Sequence, residues 1–424
     1  MIADGIIFAG HDISSGGLIT TLLEMTFANI SGGLEIDLSG IKEPDLVKIL
    51  FSENPGIIIQ VPDSIIVTSG DLQHSAFKNW HSIFKKINAI PIGRIIQERL
   101  LKITHHGEHH VFDIDSLRDT WYKTSYLLDR RQSGEKLAWE RFTNYKSQPL
   151  QFRFPGTFTG KALQYGIDMG RRKPTSIKGA IIREKGVNRD RDMAWAMYLA
   201  GMDVKDVHMT DLISGRENLE DVNFIAFVGG FSNSDVLGSA KGWAGAFLYN
   251  PKAKETLDRF FARNDTLSLG VCNGCQLLVE LGLIYPTHQD RPWMSWNDSH
   301  KYECTFINVD ILDNHSVMLK SLAGSRLGIW VAHGEGKFNF PYEESRYHIP
   351  VRFSYSGYPA NPNGSMYDAA CIASPNGRHL AMMPHVEDSI LPWQWAYYPR
   401  NRKGDEITPW IEAFVNARKW IQER

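Results

Sequence analysis

The chain has 424 residues, of which 43% are hydrophobic and 22% charged, with a formal net charge of −2. That length predicts two or three domains, and the composition excludes a disordered chain. The near-neutral charge also removes the electrostatic footprint of a nucleic-acid binder or of a protein held on an anionic membrane.

The opening MIADGIIFAGHDIS has an acid at Asp4 and no basic segment, so it does not read as a signal peptide. No run of about 18 apolar residues is present to span a bilayer. Four cysteines, Cys272, Cys275, Cys304 and Cys371, are too few for a disulfide framework in so long a chain. A reducing, cytoplasmic setting is expected.

Residues 1–130 alternate glycine-rich turns with β-rich runs. Strands are predicted at Ile6-Ile7-Phe8, Gly56–Val61 and Ser64–Thr68, and helices at Gly17–Ala28 and Gln73–Lys85. This is an α+β or α/β module. The His-rich run His105, His106, His109 and His110 alternates around Gly107, which suits a hairpin of exposed side chains better than a metal site. A helix is predicted over 115–146, capped by Asp115-Ser116. Pro149, Pro155, Gly156 and Gly160 then break regular structure, so 131–175 reads as a connecting segment.

From 176 to 424 the pattern changes. Short apolar strands are predicted at Gly179–Ile182, Val204–Met209, Phe224–Val228 and Leu267–Val271, alternating with helices at Arg189–Gly201 and Ala253–Arg263. Such alternation implies an α/β domain with a parallel sheet covered on both faces. Ligands of these sheets bind beyond the carboxyl ends of the strands, where Gly229-Gly230 and Cys272 fall.

Gly270-Val271-Cys272-Asn273-Gly274-Cys275-Gln276 lies between a strand and an apolar helix. A sharp strand-to-helix turn with small neighbours thrusts its central side chain over the sheet. The positive helix end favours thiolate there, and the Asn273 N–H would face an oxyanion. A redox C-x-x-C pair, a zinc site and a buried structural cysteine are the competing readings; zinc lacks a second ligand pair, since Cys304 and Cys371 are isolated.

What favours a nucleophile is His385-Val386-Glu387. In an extended segment residues i and i+2 share a face, so Glu387 can orient His385, and His385 can take a thiol proton. Gly229-Gly230-Phe231-Ser232 offers exposed backbone N–H groups, with Gly230 the expected oxyanion donor. Gln276 and this turn are the expected substrate contacts. His333-Gly334-Glu335-Gly336 is a rival His/Glu pair, and the residues alone leave the choice of base open.

Taken together, Gly270–Gln276 with His385 and Glu387 resembles the class I (triad) glutamine amidotransferases. Further runs narrow the resemblance to the phosphoribosylformylglycinamidine synthase family: Gly229–Ser232 with Asp235-Val236-Leu237-Gly238, Gly242-Trp243-Ala244, His333–Lys337, Asn361–Ser365 and Asn416–Trp420. Gly10–Leu18 and Phe51–Gly56 resemble the second half of that family's synthetase domain, which is similar to aminoimidazole ribonucleotide synthetase. The resemblance implies a Cys272–His385–Glu387 triad, with His333 only shaping the pocket. It further implies that Asp12 touches magnesium and Ser14 the nucleotide (ATP or ADP) of an auxiliary site; the plainer alternative is that both cap the helix that follows.

The implied activity is an ATP-dependent carbon–nitrogen ligase of purine biosynthesis that takes ammonia from L-glutamine. The resemblance covers the whole chain but only the C-terminal part of the family's length. The implied partner is therefore the remaining N-terminal synthetase part, and this chain alone is expected to hydrolyse glutamine without forming the ligase product. The glutaminase chemistry itself requires no cofactor. Two readings compete with this one, another elbow-cysteine hydrolase of intracellular-peptidase type and a non-catalytic glutamine-sensing module. Two departures stand out. Pro384-His385-Val386-Glu387-Asp388 replaces the family's Pro-His-Pro-Glu-Arg, so a proline and a cation are lost. Tyr302-Glu303-Cys304-Thr305 stands where an arginine normally closes a motif.

Overall fold

The computed structural model describes residue 2, residues 6–62 and residues 89–424. These fall into two compact units, Met1–Leu128 and Asp129–Arg424. The strand expected at Ser64–Thr68 and the helix expected at Gln73–Lys85 lie outside the described residues.

The first unit runs β1 (Ala9–Ile13), α1 (Gly17–Phe27), β2 (Gly33–Asp37), α2 (Leu46–Phe51), β3 (Gly56–Gln60), β4 (Gly93–Ile96), β5 (Leu100–His105) and β6 (Glu108–Asp113), and then enters α3 (Ile114–Thr143). β1 pairs antiparallel with β3, and a second sheet has the order β4-β2-β5-β6. Leu18 and Leu22 of α1 pack with Ile36, Leu101 and Ile103 in this unit's core.

Three local expectations are corrected. The first strand begins at Ala9 rather than Ile6. Its partner β3 ends at Gln60, two residues before Pro62, and among the described residues the β1–β3 ladder gives way there to the bond from Phe8 N–H to Gln60 O (2.8 Å). In the histidine hairpin, His106 and Gly107 form the turn at φ 46° and 87°. His105, however, is buried, because it shares the inward face of β5 with Leu101 and Ile103. The cap of α3 is Asp113, whose carboxylate accepts from Ser116 N–H at 2.7 Å, rather than Asp115-Ser116. The helix is interrupted at Gly134 (φ 80°, ψ 168°).

In the second unit the chain forms β7 (Lys178–Arg183), α4 (Asp190–Leu199), β8 (Asp203–His208), α5 (Met209–Ser214), β9 (Phe224–Phe227), α6 (Lys241–Leu248), α7 (Pro251–Ala262), β10 (Leu267–Val271) and α8 (Asn273–Glu280). There follow β11 (Trp293–Ser295), β12 (Glu303–Ile311), β13 (Arg326–His333), β14 (Lys337–Asn339), β15 (His348–Phe353), β16 (Ala369–Ala373), β17 (His379–Met382) and α9 (Ile411–Gln422). α7 shows why such segments are helical: Asn250 caps Ala253 N–H and Pro251 opens the helix. Ala253, Thr256, Leu257 and Phe260 bury one face. Burying Leu257 and Phe260 contributes roughly 1.5–3 kcal/mol each.

The main sheet has the order β13-β12-β15-β16-β17-β10-β9-β7-β8. From β8 to β17 the strands are parallel, as the apolar runs predicted; β9 and β10 are buried along their whole length. From β17 to β13 the pairs are antiparallel, an extension the sequence did not suggest. The short link from β16 to β17 explains its start, because so few residues can join only antiparallel neighbours. Trp243, Trp410, Phe224, Phe227 and Phe260 fill the core without exposure. Phe158, Ala162, Tyr165 and Ile167, from the stretch expected to connect the domains, are buried in that same core.

Candidate active site

The parallel half of the sheet delivers its loops to one crevice. Cys272 follows β10, Gly229-Gly230 follow β9, Asn188-Arg189 follow β7, and His385 follows β17. The far edge also reaches it, since Trp330 of β13 bridges His385, whose N–H donates to Trp330 O at 2.8 Å.

Cys272 sits immediately before α8 at φ 51° and ψ −108°, a conformation that costs a side-chain-bearing residue about 1–3 kcal/mol and marks functional turns. The turn closes so tightly that a Cβ on Gly270 would lie 2.4 Å from Gly274 O, and one on Gly274 would lie 2.1 Å from Phe227 O. Cys272 N–H is anchored to Met382 O at 2.9 Å, and its thiol points toward Ala332 O at 3.6 Å.

His385 and Glu387 are buried at 3% and 0% exposure, with Nδ1 2.8 Å from Glu387 Oε1. Burial works to lower the imidazole's pKa, yet the Glu387 carboxylate and the Cys272 thiol hold it well above its usual value. A Cβ on Gly229 would lie 2.8 Å from His385 Cε1 and 3.2 Å from Cys272 Cβ. His385 and Cys272 thus both pack against a residue that has no side chain.

Cys275 is a free thiol like Cys272, but it is fully buried, and burial pushes its pKa well above the usual thiol range. No accessible dithiol exists at this C-x-x-C. Among the described residues, the one group with metal-ligand spacing is His385, Glu387 and Asp388. Two of these are already bonded to each other, and Asp388 is ion-paired with Arg189.

Gly230 stands at φ 118° against Val187 and Asn188. The bonds that hold this contact run from Asn188 N–H to Gly229 O (2.8 Å) and from Phe231 N–H to Gly186 O (3.0 Å), so neither uses the Gly230 N–H. Asn273 heads α8, where first-turn N–H groups lack helical acceptors. Its buried side chain accepts from Ser232 N–H at 3.2 Å and donates to Asp235 and to Gln276 Oε1. Gln276 lines the crevice, but its amide is engaged, donating to Glu335 O at 2.7 Å.

Cys272, His385, Gly230 and Gln276 line a pocket together with Arg189, Phe231, Asp235, Ser239, Tyr302 and His333. Asn233, Ser234 and Asp235 pass in succession through positive φ (52°, 59°, 48°), which carries Asp235 into the pocket. Burial raises the Asp235 carboxyl's pKa and Glu335 adds to the rise, against hydrogen bonds from Ala240 N–H and Asn273. Asp388 is pushed up to about 6 by burial and the Glu387 charge, while His385 and Arg189 pull the other way. The sequence marked Asp235 only as part of a motif and Arg189 only as the start of a helix. His333 lines the pocket too, but burial, with His385 adding, drives its pKa down to about 3. It stays neutral and makes no pair with Glu335 resembling that of His385 and Glu387.

In the first unit, Asp12 and Ser14 are exposed, and Asp12 Oδ1 is 3.5 Å from His11 Nδ1. Neither caps α1. The cap position is Gly16 at φ 85°, without a side-chain cap, and Gly16 N–H is held by Glu53 Oε1 at 2.9 Å. The plain capping alternative is therefore corrected: a positive-φ glycine turns the chain before either side chain can fold back on the helix. An exposed carboxylate and hydroxyl ahead of a helix start have the donor chemistry to meet a magnesium-bound phosphate.

Residues 176–421 match the family model of the CobB/CobQ-like glutamine amidotransferase domain. Residues 1–64 match that of the AIR synthase related protein, C-terminal domain. The chain is 37% identical, over all of its length and 30% of the relative's, to the probable phosphoribosylformylglycinamidine synthase, chloroplastic/mitochondrial, of Arabidopsis thaliana. It is 36% identical, over all of its length and 33% of the relative's, to the Homo sapiens phosphoribosylformylglycinamidine synthase. It thus spans about a third of these relatives. Among solved structures, PurLQS from Thermotoga maritima matches 59% of this chain and 99% of its own, with a TM-score of 0.44 and 20% identity.

Proposed function

We propose, from the premise that this chain belongs to the CobB/CobQ-like glutamine amidotransferase domain family, that its second unit hydrolyses glutamine and releases ammonia for a phosphoribosylformylglycinamidine synthase reaction. The observation that carries the proposal is the elbow Cys272 facing His385, itself held by Glu387 at 2.8 Å. His385 takes the thiol proton, and Cys272 Sγ attacks the side-chain amide carbon of glutamine. The negative oxygen that forms is met by the N–H groups of Gly230 and Asn273. The carbon–nitrogen bond breaks as His385 returns its proton to the departing ammonia. Water, deprotonated by His385, then splits the thioester to glutamate and restores the thiol.

Glu387 keeps the imidazole oriented and stabilises its charged form. In the complete enzyme the ammonia displaces an ATP-activated amide oxygen of formylglycinamide ribonucleotide in purine biosynthesis. The remaining synthetase part is the partner that performs that step. Asp12 would hold magnesium and Ser14 the nucleotide phosphate, the metal serving there to neutralise phosphate charge. The division into 1–130, 131–175 and 176–424, and a cytoplasmic location, belong to the same proposal; among the described residues no helix is long and apolar enough to cross a membrane.

A diazoketone analogue of glutamine tests the reading. Labelling at Cys272, protected by glutamine and lost in Cys272→Ser and His385→Ala, is expected. Labelling without glutamine protection would return the site to a general elbow-cysteine hydrolase. Glutamine binding without labelling or ammonia release would make the unit a sensor.

A further inference from the structure

His333 is not used by the triad chemistry, yet it lines the same pocket and is 2% exposed. Its protonation pattern follows from its neighbour Asn363. The Asn363 amide is fixed in orientation by two backbone groups: Oδ1 accepts from Ser365 N–H at 3.0 Å, and Nδ2 donates to Gly336 O at 2.8 Å. A backbone N–H can only donate and a carbonyl can only accept, so the amide cannot be turned over. The second hydrogen on Nδ2 points at His333 Nε2, 3.0 Å away.

Nε2 must then be the accepting, unprotonated nitrogen. A neutral imidazole carries one proton, which places it on Nδ1. Nδ1 is buried and has no hydrogen-bond partner among the described residues. The Cδ2–Nε2 edge is covered, since a Cβ on Gly336 would lie 2.1 Å from Cδ2 and 2.3 Å from Nε2. That leaves the opposite edge, which bears the Nδ1 hydrogen, on a ring whose residue lines the pocket.

A buried donor without an acceptor is costly and is seldom kept without a use. We infer that His333 is a substrate-contact residue, whose Nδ1–H donates a hydrogen bond to an acceptor oxygen of the glutamine bound at Cys272. It is a fixed donor and never the base, which accounts for a second histidine standing beside His385. The inference rests on the glutaminase reading for the identity of the ligand, but not for the tautomer.

Two substitutions separate the donor role from mere bracing of Asn363. The Asn amide nitrogen falls where Nδ1 stood, and the Gln amide group falls where Nε2 stood. His333→Asn is expected to keep the KM for glutamine within about threefold of the parent, whereas His333→Gln and His333→Phe raise it roughly 10- to 100-fold, the loss of one buried hydrogen bond. The reverse order, or equal effects of Asn and Gln, would overturn the inference.

Should the variants unfold, imidazole ¹⁵N NMR of the unsubstituted chain still decides it. A protonated Nδ1 and bare Nε2 at neutral pH, with the Nδ1–H resonance moving when the diazoketone analogue is bound, is expected. A protonated Nε2, or an unmoved Nδ1–H, would refute it. If the unsubstituted chain releases no ammonia, the glutaminase reading has failed instead, and the tautomer is judged by NMR alone.

Discussion

The closest test of the site geometry is Gly229→Ala, because one methyl group there would crowd both the nucleophilic residue and its base. Gly229 is not among the positive-φ glycines, so alanine is not strained on that account. The obstacle is space. The new Cβ would lie 2.8 Å from His385 Cε1 and 3.2 Å from Cys272 Cβ, whereas carbon atoms in contact sit about 3.5–4.0 Å apart. Something must retreat by roughly 1 Å. The imidazole is tied through Nδ1 to Glu387, the His385 main chain through its N–H to Trp330 O, and Cys272 through its N–H to Met382 O. The strain therefore falls on the separation of the two reacting groups. A misplacement of about 1 Å costs on the order of 100-fold in rate, or about 2.7 kcal/mol of transition-state stabilisation. Overpacking should cost about 1–3 kcal/mol of folding stability. Ammonia release under steady state, paired with a thermal melt, measures both. We expect kcat to fall about 100-fold with KM little changed and the melt still cooperative. A folded variant with kcat within about threefold of the parent would refute the placement of His385 against Cys272.

Cys275→Ala should leave glutamine hydrolysis within about threefold of the parent, since this thiol is buried and inert; a large loss with the fold intact would revive a dithiol mechanism. Glu387→Gln should lower kcat by roughly 10²–10⁴ without unfolding the chain, because the imidazole loses the carboxylate that orients it and stabilises its charge; an unchanged kcat would remove Glu387 from the triad. Asp388 has its pKa raised to about 6 from an ordinary 3.8, so the folded state holds a proton that the unfolded state has released. That contribution to stability is complete below about 3.8 and is lost as pH rises through about 6. Denaturant melts should therefore show the parent gaining stability relative to Asp388→Asn as pH falls from 7 to 5, by about 1 kcal/mol over that interval; a difference that shrinks with falling pH would refute the burial of that carboxyl.

Much of the site was legible because a nucleophile elbow is a local device. Gly270 and Gly274 flank Cys272 in the sequence, and the close approaches that require them occur within the same strand–turn–helix or against the adjoining strand β9. The parallel strands were equally plain, since strands buried on both faces are written as unbroken apolar runs. What the sequence hid depends on partners distant along the chain. Nothing in Arg326–His333 announces that this strand lies beside β12 at one edge of the sheet and still bridges His385. Gly229 looked like an ordinary turn residue, and its role appears only once His385 and Cys272 are placed around it. The start of α1 misled for a related reason. Asp12 and Ser14 have good capping side chains, but Glu53, 37 residues away, holds the Gly16 N–H instead.

The two departures from the family pattern show the same limit in charge balance. Asp388 in place of an arginine puts a second carboxylate beside Glu387 in a buried site, an arrangement that is strongly unfavourable unless a cation neutralises it. Read along the segment, the cation is missing. In the folded chain it comes from Arg189, held at φ 67° just ahead of α4 and paired with Asp388. Glu303, in the segment that lacks its closing arginine, is likewise buried and is met by Arg141 at 3.1 Å and by the Tyr358 hydroxyl at 2.8 Å. In each case an arginine from a distant element stands where the charge is required. Electrostatic complementarity is a property of the neighbourhood rather than of the motif. A substitution that breaks a signature therefore predicts a lost function only after the residues packed around it have been shown to leave the charge unanswered.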